Sequence, residues 1–113
     1  VMHEYSIAYD IFMTAKKAAE DNLATQVKKV CVGFGEMTLI NPEQVAFLFE
    51  TMCEDDPIFK GCKLESSTVP VKATCKCGYE GNERFVCPKC GAMPEIVEGR
   101  EVMVTNIEIE VDE

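Results

Sequence analysis

Apolar side chains recur every three or four residues over the first part of the chain, from Ser6 to about Asn22. The recurring positions are Ile7, Ile11, Ala15, Ala18 and Ala19. This period predicts an amphipathic helix that buries one face and leaves the charged side chains on the other. Ser6 is a suitable N-cap, because its hydroxyl can accept a hydrogen bond from a free backbone N–H.

The next segment, Val27–Phe34, changes to the alternating pattern of a β-strand. Val30, Val32 and Phe34 alternate with other residue types, and the content of β-branched residues is high. The pattern therefore predicts a half-buried strand. Two glycines bracket its end and indicate a bend or a close approach of the backbone.

A second helix is marked by its first residues. Asn41 is a favoured N-cap, Pro42 suits the first helical position, and the Gln44 amide can reach back to the cap. The apolar positions of this helix are Val45, Leu48, Phe49 and Met52. Their spacing predicts a helix that runs to about Cys53 and packs one face against a sheet or another helix.

Two further strands are predicted in the second half of the chain. One lies near Lys63–Ala73, where Pro70 suits a sheet edge or an irregular point because it has no N–H for the ladder. The other is C-terminal, and its apolar phase changes after Val104. The later apolar positions are Ile107, Ile109 and Val111. We predict a β-bulge near Thr105 and Asn106, because an uncorrected slip would turn these side chains to the wrong face.

These elements predict an α+β fold in which two helices pack on a three-stranded sheet, with an inserted four-cysteine zinc-ribbon module. The last two strands flank residues 74–98, so we expect that segment to be an excursion whose ends lie close together. The predicted domains are residues 1–73 plus 99–113 for the α/β part and residues 74–98 for the module.

The composition narrows the class of protein. The chain of 113 residues carries 20 acidic and 11 basic side chains, a formal charge of −9, which disfavours nucleic acids and anionic membranes as partners. Its longest apolar run, Val45 to Phe49, is far shorter than the roughly 18 residues that a membrane span needs. Without a signal-peptide pattern, we expect a cytoplasmic protein with no membrane association.

Four of the seven cysteines form a cluster with metal-ligand spacing. They are Cys75, Cys77, Cys87 and Cys90, and a glycine follows the second cysteine of each pair. Four thiolates from two short loops can surround one zinc ion tetrahedrally, which leaves no open coordination position and indicates a structural metal. The first pair is irregular, because only Lys76 separates its cysteines where a zinc ribbon has two residues. An iron centre of the rubredoxin type would use the same ligands.

The other three cysteines, Cys31, Cys53 and Cys62, lie among apolar residues. An odd total and the lack of an export signal argue against a disulfide framework. We expect these three to be small buried side chains.

The only histidine is His3, which taken alone is a surface residue near a chain end. Its context carries more information. Met2-His3-Glu4, the helix after it, the strand ending in Gly33-Phe34-Gly35-Glu36, the cap at Asn41 and the CPxCG motif follow one another in this order. Over essentially its whole length the chain resembles the HypA/HybF family of nickel-insertion proteins for hydrogenase and, in some organisms, urease.

The resemblance implies two metal sites. Nickel would be bound at Met2, His3 and Glu4 through the imidazole and nearby main-chain nitrogens, and His3 would be indispensable. Zinc would be bound by the four clustered cysteines. This division is chemically reasonable, since Ni(II) favours a square plane of nitrogen donors whereas zinc accepts a tetrahedron of thiolates. Val1 precedes the family's starting methionine, and Val1-Met2-His3 could itself bind Ni(II) or Cu(II) as a terminal tripeptide.

The resemblance also implies partners: a HypB-type GTPase and the precursor of the hydrogenase large subunit. We expect no enzymatic activity, because the chain has no nucleophile–base pair and no phosphate-binding loop of the Walker type. A monomer or a weak, domain-swapped homodimer is expected. The alternatives are a zinc-ribbon module that binds nucleic acid or protein, and a rubredoxin-like electron carrier.

Overall fold

The computed structural model describes residues 2–112, and the side chains from residue 4 to residue 112. In chain order the elements are α1 (Met2–Asp21), β1 (Ala24–Gly35), α2 (Pro42–Cys53), β2 (Lys63–Val69), β3 (Lys72–Thr74), β4 (Glu80–Gly81), β5 (Glu95–Glu98) and β6 (Val102–Val111). They form two three-stranded sheets, ordered β2-β1-β6 and β4-β3-β5. This confirms the predicted α+β fold of two helices, a three-stranded sheet and an inserted four-cysteine segment.

The chain divides into two compact units. Unit 1 comprises residues 1–33, 40–67 and 103–113, and unit 2 comprises residues 34–39 and 68–102. Unit 1 contains both helices and most of the first sheet. Unit 2 contains the second sheet and the four clustered cysteines.

Unit 1 is built around an apolar core between α1, α2 and β1. Side chains on one face of each helix and along β1 are fully or almost fully buried. They include Ala8, Ile11, Ala15, Val27, Val30, Val32, Val45 and Phe49. An aromatic cluster adds to this core, since the Phe12 ring lies 6.3 Å from that of Phe49 and 4.9 Å from that of Phe59. The apolar faces that the sequence predicts for α1, β1 and α2 therefore pack against one another in a single core.

Helix α1 begins at Met2, four residues before the predicted cap, so Ser6 lies inside the helix and the prediction that it is the N-cap is wrong. The reason is a buried charged residue. Glu4 stands one turn before Ala8 on the same face and is 9% exposed. Because glutamate is polar, the spacing of apolar residues did not indicate that the buried face of α1 extends to its first turn.

Helix α2 begins and ends as predicted. The Asn41 side chain accepts hydrogen bonds from the backbone nitrogens of Glu43 (3.0 Å) and Gln44 (3.3 Å), and Pro42 is the first helical residue. These bonds satisfy two of the N–H groups that a helix start leaves without partners. The helix ends at Cys53.

The strand predicted near Lys63–Ala73 is in fact two strands in different sheets. β2 ends at Val69 and β3 begins at Lys72, so the chain leaves one sheet at Pro70 and Val71 and enters the other. Proline has no N–H to donate to a ladder and therefore interrupts the strand at this point.

Strand β6 shows the predicted change of phase. Its partly buried positions are Val102 and Val104, then Ile107 and Ile109, with two exposed residues between the two sets. The β-bulge inferred from this slip stays a prediction. Cys53 and Cys62 are buried, as predicted, whereas Cys31 is only half-buried, so the prediction of a buried side chain is wrong for Cys31. Among the described residues, no helix is long and apolar enough to span a bilayer.

Candidate metal centre

Two short loops of unit 2 carry the clustered cysteines. In the first loop, the Gly78 nitrogen donates to the Cys75 oxygen at 2.9 Å; in the second, the Gly91 nitrogen donates to the Cys87 oxygen at 2.9 Å. Both glycines have positive φ, 97° and 79°, a conformation that side chains other than glycine rarely adopt. The first bond spans three residues and the second four. The missing residue after Cys75 therefore tightens the turn without preventing it from closing.

Further hydrogen bonds close the base of each loop. The Cys75 nitrogen donates to the Tyr79 oxygen at 3.0 Å, and the Cys87 nitrogen donates to the Ala92 oxygen at 2.7 Å. Each pair of cysteines is thus held by its own hydrogen-bonded loop. The second sheet brings these two loops together.

Strand β3 is the central strand of that sheet. It pairs antiparallel with β4, Thr74 opposite Glu80, and antiparallel with β5, Thr74 opposite Glu95. At the other end of β3, Lys72 lies opposite Glu98. The chain therefore enters and leaves the cysteine segment on neighbouring strands, as expected for an excursion whose ends lie close together.

The four sulfur atoms converge. All four Sγ atoms lie within 4.8 Å of one another, with 3.4 Å between Cys75 and Cys90 and 3.5 Å between Cys77 and Cys87. A tetrahedron with Zn–S bonds of about 2.3 Å has edges of roughly 3.8 Å. The arrangement therefore fits one tetrahedrally coordinated ion. Within residues 4–112, it is the only group of three or more Cys, His, Asp or Glu side chains close enough to share an ion.

Backbone N–H groups favour a thiolate at Cys87. Burial raises the pKa of this thiol, but the N–H groups of Cys90 and Lys89 and the neighbouring thiols outweigh burial and hold the pKa at about 6. The Lys89 nitrogen lies 3.4 Å from the Cys87 sulfur. Since metals bind the thiolate, this cysteine is prepared for metal binding at neutral pH.

A charged clamp joins residues 34–39 to the cysteine segment within unit 2. A carboxylate oxygen of Glu36 lies 3.0 Å from Arg84 Nη2 and accepts a hydrogen bond of 3.1 Å from the Val71 nitrogen. The Val71 N–H and Arg84 lower the pKa of Glu36. No local pattern in the sequence indicates this pair, because its members are 48 positions apart. The clamp also occupies one of the module's basic side chains, which weakens the alternative of a nucleic-acid surface.

The predicted nickel ligands lie at the start of α1. The side chains of Met2 and His3 lie outside those the structure describes, and Glu4 is buried in the first turn. The backbone of all three residues belongs to the helix. The structure therefore brings the four predicted zinc ligands together, while the nickel set stays a prediction.

Comparison with known proteins identifies the family. Residues 2–109 match the family model described as "Hydrogenase/urease nickel incorporation, metallochaperone, hypA". The chain belongs to the HypA family. It is 41% identical to the hydrogenase maturation factor HypA of Methanocella arvoryzae, covering 97% of this chain and all of that protein. It is 40% identical to the HypA of Methanothermobacter thermautotrophicus, covering 96% of this chain and 98% of the relative.

Solved HypA structures share the fold. A solution structure of a HypA protein superposes with a TM-score of 0.79 at 25% identity, covering 99% of both chains. The solution structure of the Ni metallochaperone HypA from Helicobacter pylori gives a TM-score of 0.78 at 24% identity, covering 96% of this chain and 98% of that one. The resemblance inferred from the sequence is thus confirmed.

Proposed function

We propose that this protein is a nickel metallochaperone that binds Ni(II) at its N-terminus and delivers it during the maturation of [NiFe]-hydrogenase. The observation that carries the proposal is the HypA family match, which starts at Met2 and extends to residue 109. The relatives named as hydrogenase maturation factors align over nearly their full length, which supports the same role for the whole chain.

The start of α1 supports nickel binding by main-chain nitrogens. The first four N–H groups of an α-helix have no acceptor within the helix, and those of Met2, His3 and Glu4 fall in this first turn. Replacing their protons with nickel would therefore break no helical hydrogen bond. With the imidazole of His3, these nitrogens can provide the planar nitrogen set that Ni(II) favours. Because the Glu4 side chain is buried, we assign the role of Glu4 to its main-chain nitrogen.

The four cysteines would hold zinc with a structural role. The sulfur tetrahedron supports this, since it fits Zn–S bonds and leaves no position for a substrate. Bound zinc would supply cross-linking of the two loops. The two metals are thereby separated by donor chemistry, with thiolates in unit 2 and nitrogen donors at the start of unit 1.

Delivery requires partners. By family analogy we propose a HypB-type GTPase as the partner in loading, and the hydrogenase large-subunit precursor as the destination. The exchange would occur in the cytoplasm, where free thiols stay reduced.

Nickel titration of a zinc-loaded chain that begins at Met2 tests the N-terminal site. We expect one Ni(II) per chain, with the visible absorption band and diamagnetism of a square-planar complex. His3→Ala should abolish this uptake. Binding should weaken as the pH falls through the imidazole pKa, about 6.5 for a free side chain, because protons compete with the metal.

Two controls make the result specific. Cys31→Ser changes a cysteine outside both sites and should leave nickel uptake unaltered. A chain beginning at Val1 should be titrated in parallel, because Val1-Met2-His3 offers its own planar donor set. Nickel uptake that survives His3→Ala in the Met2-initiated chain, or nickel found on the four cysteines, would disprove the proposed site.

A further inference from the structure

A short turn at the end of β1 is hydrogen-bonded to the chain on both sides of the cysteine segment (residues 74–98) within unit 2. Residues 35–38, which we call the strap, close on themselves, since the Thr38 nitrogen donates to the Gly35 oxygen at 3.0 Å and the Thr38 hydroxyl donates to the same oxygen at 2.9 Å. The backbone nitrogens of the strap also donate outward at 2.8 Å, from Gly35, Glu36 and Met37 to the oxygens of Glu101, Val69 and Gly99 respectively. One acceptor precedes the cysteine segment and two follow it. The strap is therefore bonded both to the chain that enters the segment and to the chain that leaves it.

No side chain separates the strap from the chain that leaves the cysteine segment. A Cβ atom placed on Gly35 would lie 2.4 Å from the carbonyl carbon and oxygen of Gly99, and one placed on Gly99 would lie 2.8 Å from the Cα atom of Val71. Only glycine allows the backbone to approach so closely at these two positions. This is the close approach that the glycines at the end of β1 predict. A movement of residues 99–101 would therefore displace the strap directly.

The Glu36 side chain extends this link into the cysteine segment. One carboxylate oxygen accepts a hydrogen bond from the Val71 nitrogen at 3.1 Å and lies 3.0 Å from Arg84 Nη2. A single exposed ion pair contributes little to stability. Here the same oxygen also has a backbone donor, so the release of Glu36 leaves the Val71 N–H without this acceptor.

The position of Arg84 depends on the metal centre. Arg84 lies between Cys77 and Cys87, which belong to different loops and whose sulfur atoms are 3.5 Å apart. Residues 82–86, all within the described part of the chain, form neither helix nor strand. A metal that binds both cysteines fixes the two ends of this irregular stretch. Removal of the metal frees both ends, and with them the side chain that holds Glu36.

We propose that the strap is coupled to metal binding at the four cysteines, an inference that rests on the zinc centre proposed above. Zinc on Cys77 and Cys87 holds Arg84 in place, and Arg84 holds Glu36, which keeps the strap against the chain on both sides of the cysteine segment. Coupling between two binding events is reciprocal. The engaged strap therefore strengthens zinc binding, and Glu36 is a positioning residue for a metal centre that lies outside its own stretch of chain.

Competition with a chromophoric zinc chelator tests one direction of the coupling. In the full chain, Glu36→Gln and Arg84→Gln should each weaken zinc binding by roughly three- to five-fold, which is the upper range for an exposed ion pair. The double variant should bind zinc no more weakly than either single variant, because both changes remove the same link. Arg84→Lys keeps a cation for Glu36 and should retain most of the affinity.

Glu83→Gln is the matched control for these affinities. It removes the same charge from an exposed side chain next to Arg84, so it reports any general effect of a lost negative charge near the metal. We expect it to leave the zinc affinity unchanged. A loss equal to that of Glu36→Gln would overturn the coupling, because the loss would then not depend on the contact with Arg84.

Hydrogen exchange resolved by residue tests the other direction. The zinc-loaded Arg84→Gln chain keeps all four cysteines, and its Glu36 and Met37 amides should exchange several-fold faster than those of the zinc-loaded wild type. Removal of zinc from the wild type should expose the same two amides. The amides of Val30 and Val32, earlier in β1, should exchange at the wild-type rate in both samples.

The outcomes separate the strap from the metal centre. Equal zinc affinities of the wild type, Glu36→Gln and Arg84→Gln would overturn the coupling and leave the zinc centre in place. Native protection of the Glu36 and Met37 amides in the zinc-free chain would do the same. A wild-type chain that takes up no zinc would overturn the proposed metal centre, and the coupling with it. If Glu36→Gln does not fold, Arg84→Gln and the zinc-free wild type decide.

Discussion

The two units of this protein obtain their stability from different sources. Unit 1 has a continuous apolar core to which α1, α2 and β1 all contribute. In unit 2 the buried apolar side chains are few: Phe34, Val71, Ala73, Cys87 and Pro94. One of these is a cysteine of the metal centre. Phe85, Val86 and Met93, the larger apolar side chains near the cysteines, are 72%, 55% and 81% exposed.

This difference shows what each unit needs in order to fold. A segment of roughly 40 residues rarely buries enough apolar surface to offset its conformational entropy, and metals commonly supply the missing stability. Unit 2 is of that size. We infer that metal–thiolate bonds replace a hydrophobic core in unit 2, whereas unit 1 depends on packing.

Removal of the metal should have the largest effect. Structural zinc contributes about 10–16 kcal/mol in small zinc domains at neutral pH. We therefore expect a strong chelator, or Cys87→Ser, to abolish amide protection over residues 68–102. Protection in α1, β1 and α2 should remain, because their core contains none of the metal ligands. Hydrogen exchange resolved by residue measures both changes in one sample.

Cys31→Ser is the matched control, since it replaces a cysteine with no role in the metal centre, and it should leave protection in unit 2 intact. Native protection of residues 68–102 in the metal-free protein would show that unit 2 does not need the metal in order to fold. Collapse of α1 and α2 on chelation would contradict it as well, because it would make the metal responsible for both.

Truncating the core of unit 1 should have the next largest effect. Phe49 is fully buried and lies edge-on to Phe12 at 6.3 Å. Phe49→Ala leaves a cavity and should cost about 3–5 kcal/mol of unfolding free energy. Urea unfolding followed by circular dichroism of the helices measures this loss.

Phe47 provides a control on the same helix. It is 67% exposed, so Phe47→Ala should change the unfolding free energy by less than about 0.5 kcal/mol. Equal costs for Phe47 and Phe49 would mean that burial on α2 does not determine the stability of unit 1.

The smallest predicted effect concerns the Glu36 clamp in unit 2. The Val71 N–H and Arg84 lower the pKa of Glu36. A lowered folded-state pKa gives stabilisation that is complete above the unfolded pKa of about 4.3 and is lost as the pH falls through the folded value. Glu36→Gln keeps an acceptor for the Val71 nitrogen but removes the ion pair. We expect a slightly lower urea midpoint of unit 2 at pH 7, and a difference from wild type that vanishes in acid.

Glu83→Gln removes the same charge from an exposed position in the same unit, and it should not shift the midpoint. A pH-independent difference between wild type and Glu36→Gln would show that the carboxylate charge does not contribute. Even a full loss of the clamp should leave the metal centre folded, since the loops close through their own hydrogen bonds.

Several features could be predicted because the residues that form them are neighbours in the chain. The cap and length of α2 follow from Asn41, Pro42 and the apolar spacing after them. The cysteine cluster follows from two short motifs, and its loops close locally. The early start of α1 was missed, because only the folded protein shows Glu4 on the buried face. The division into two strands at Pro70 was also not predicted, because the residues on both sides of Pro70 have a sequence pattern typical of a strand.

The apolar periodicities, the helix cap, the four-cysteine pattern and the Met2-His3-Glu4 start are all legible in the amino-acid sequence, and together they were enough to indicate the HypA family. The pairing of strands within each sheet and the contact between Glu36 and Arg84 became visible only in the folded protein. The difference lies in the sequence separation over which each kind of interaction acts. Periodicity and turn chemistry act over a few residues, whereas pairing between distant side chains depends on how the whole chain is packed.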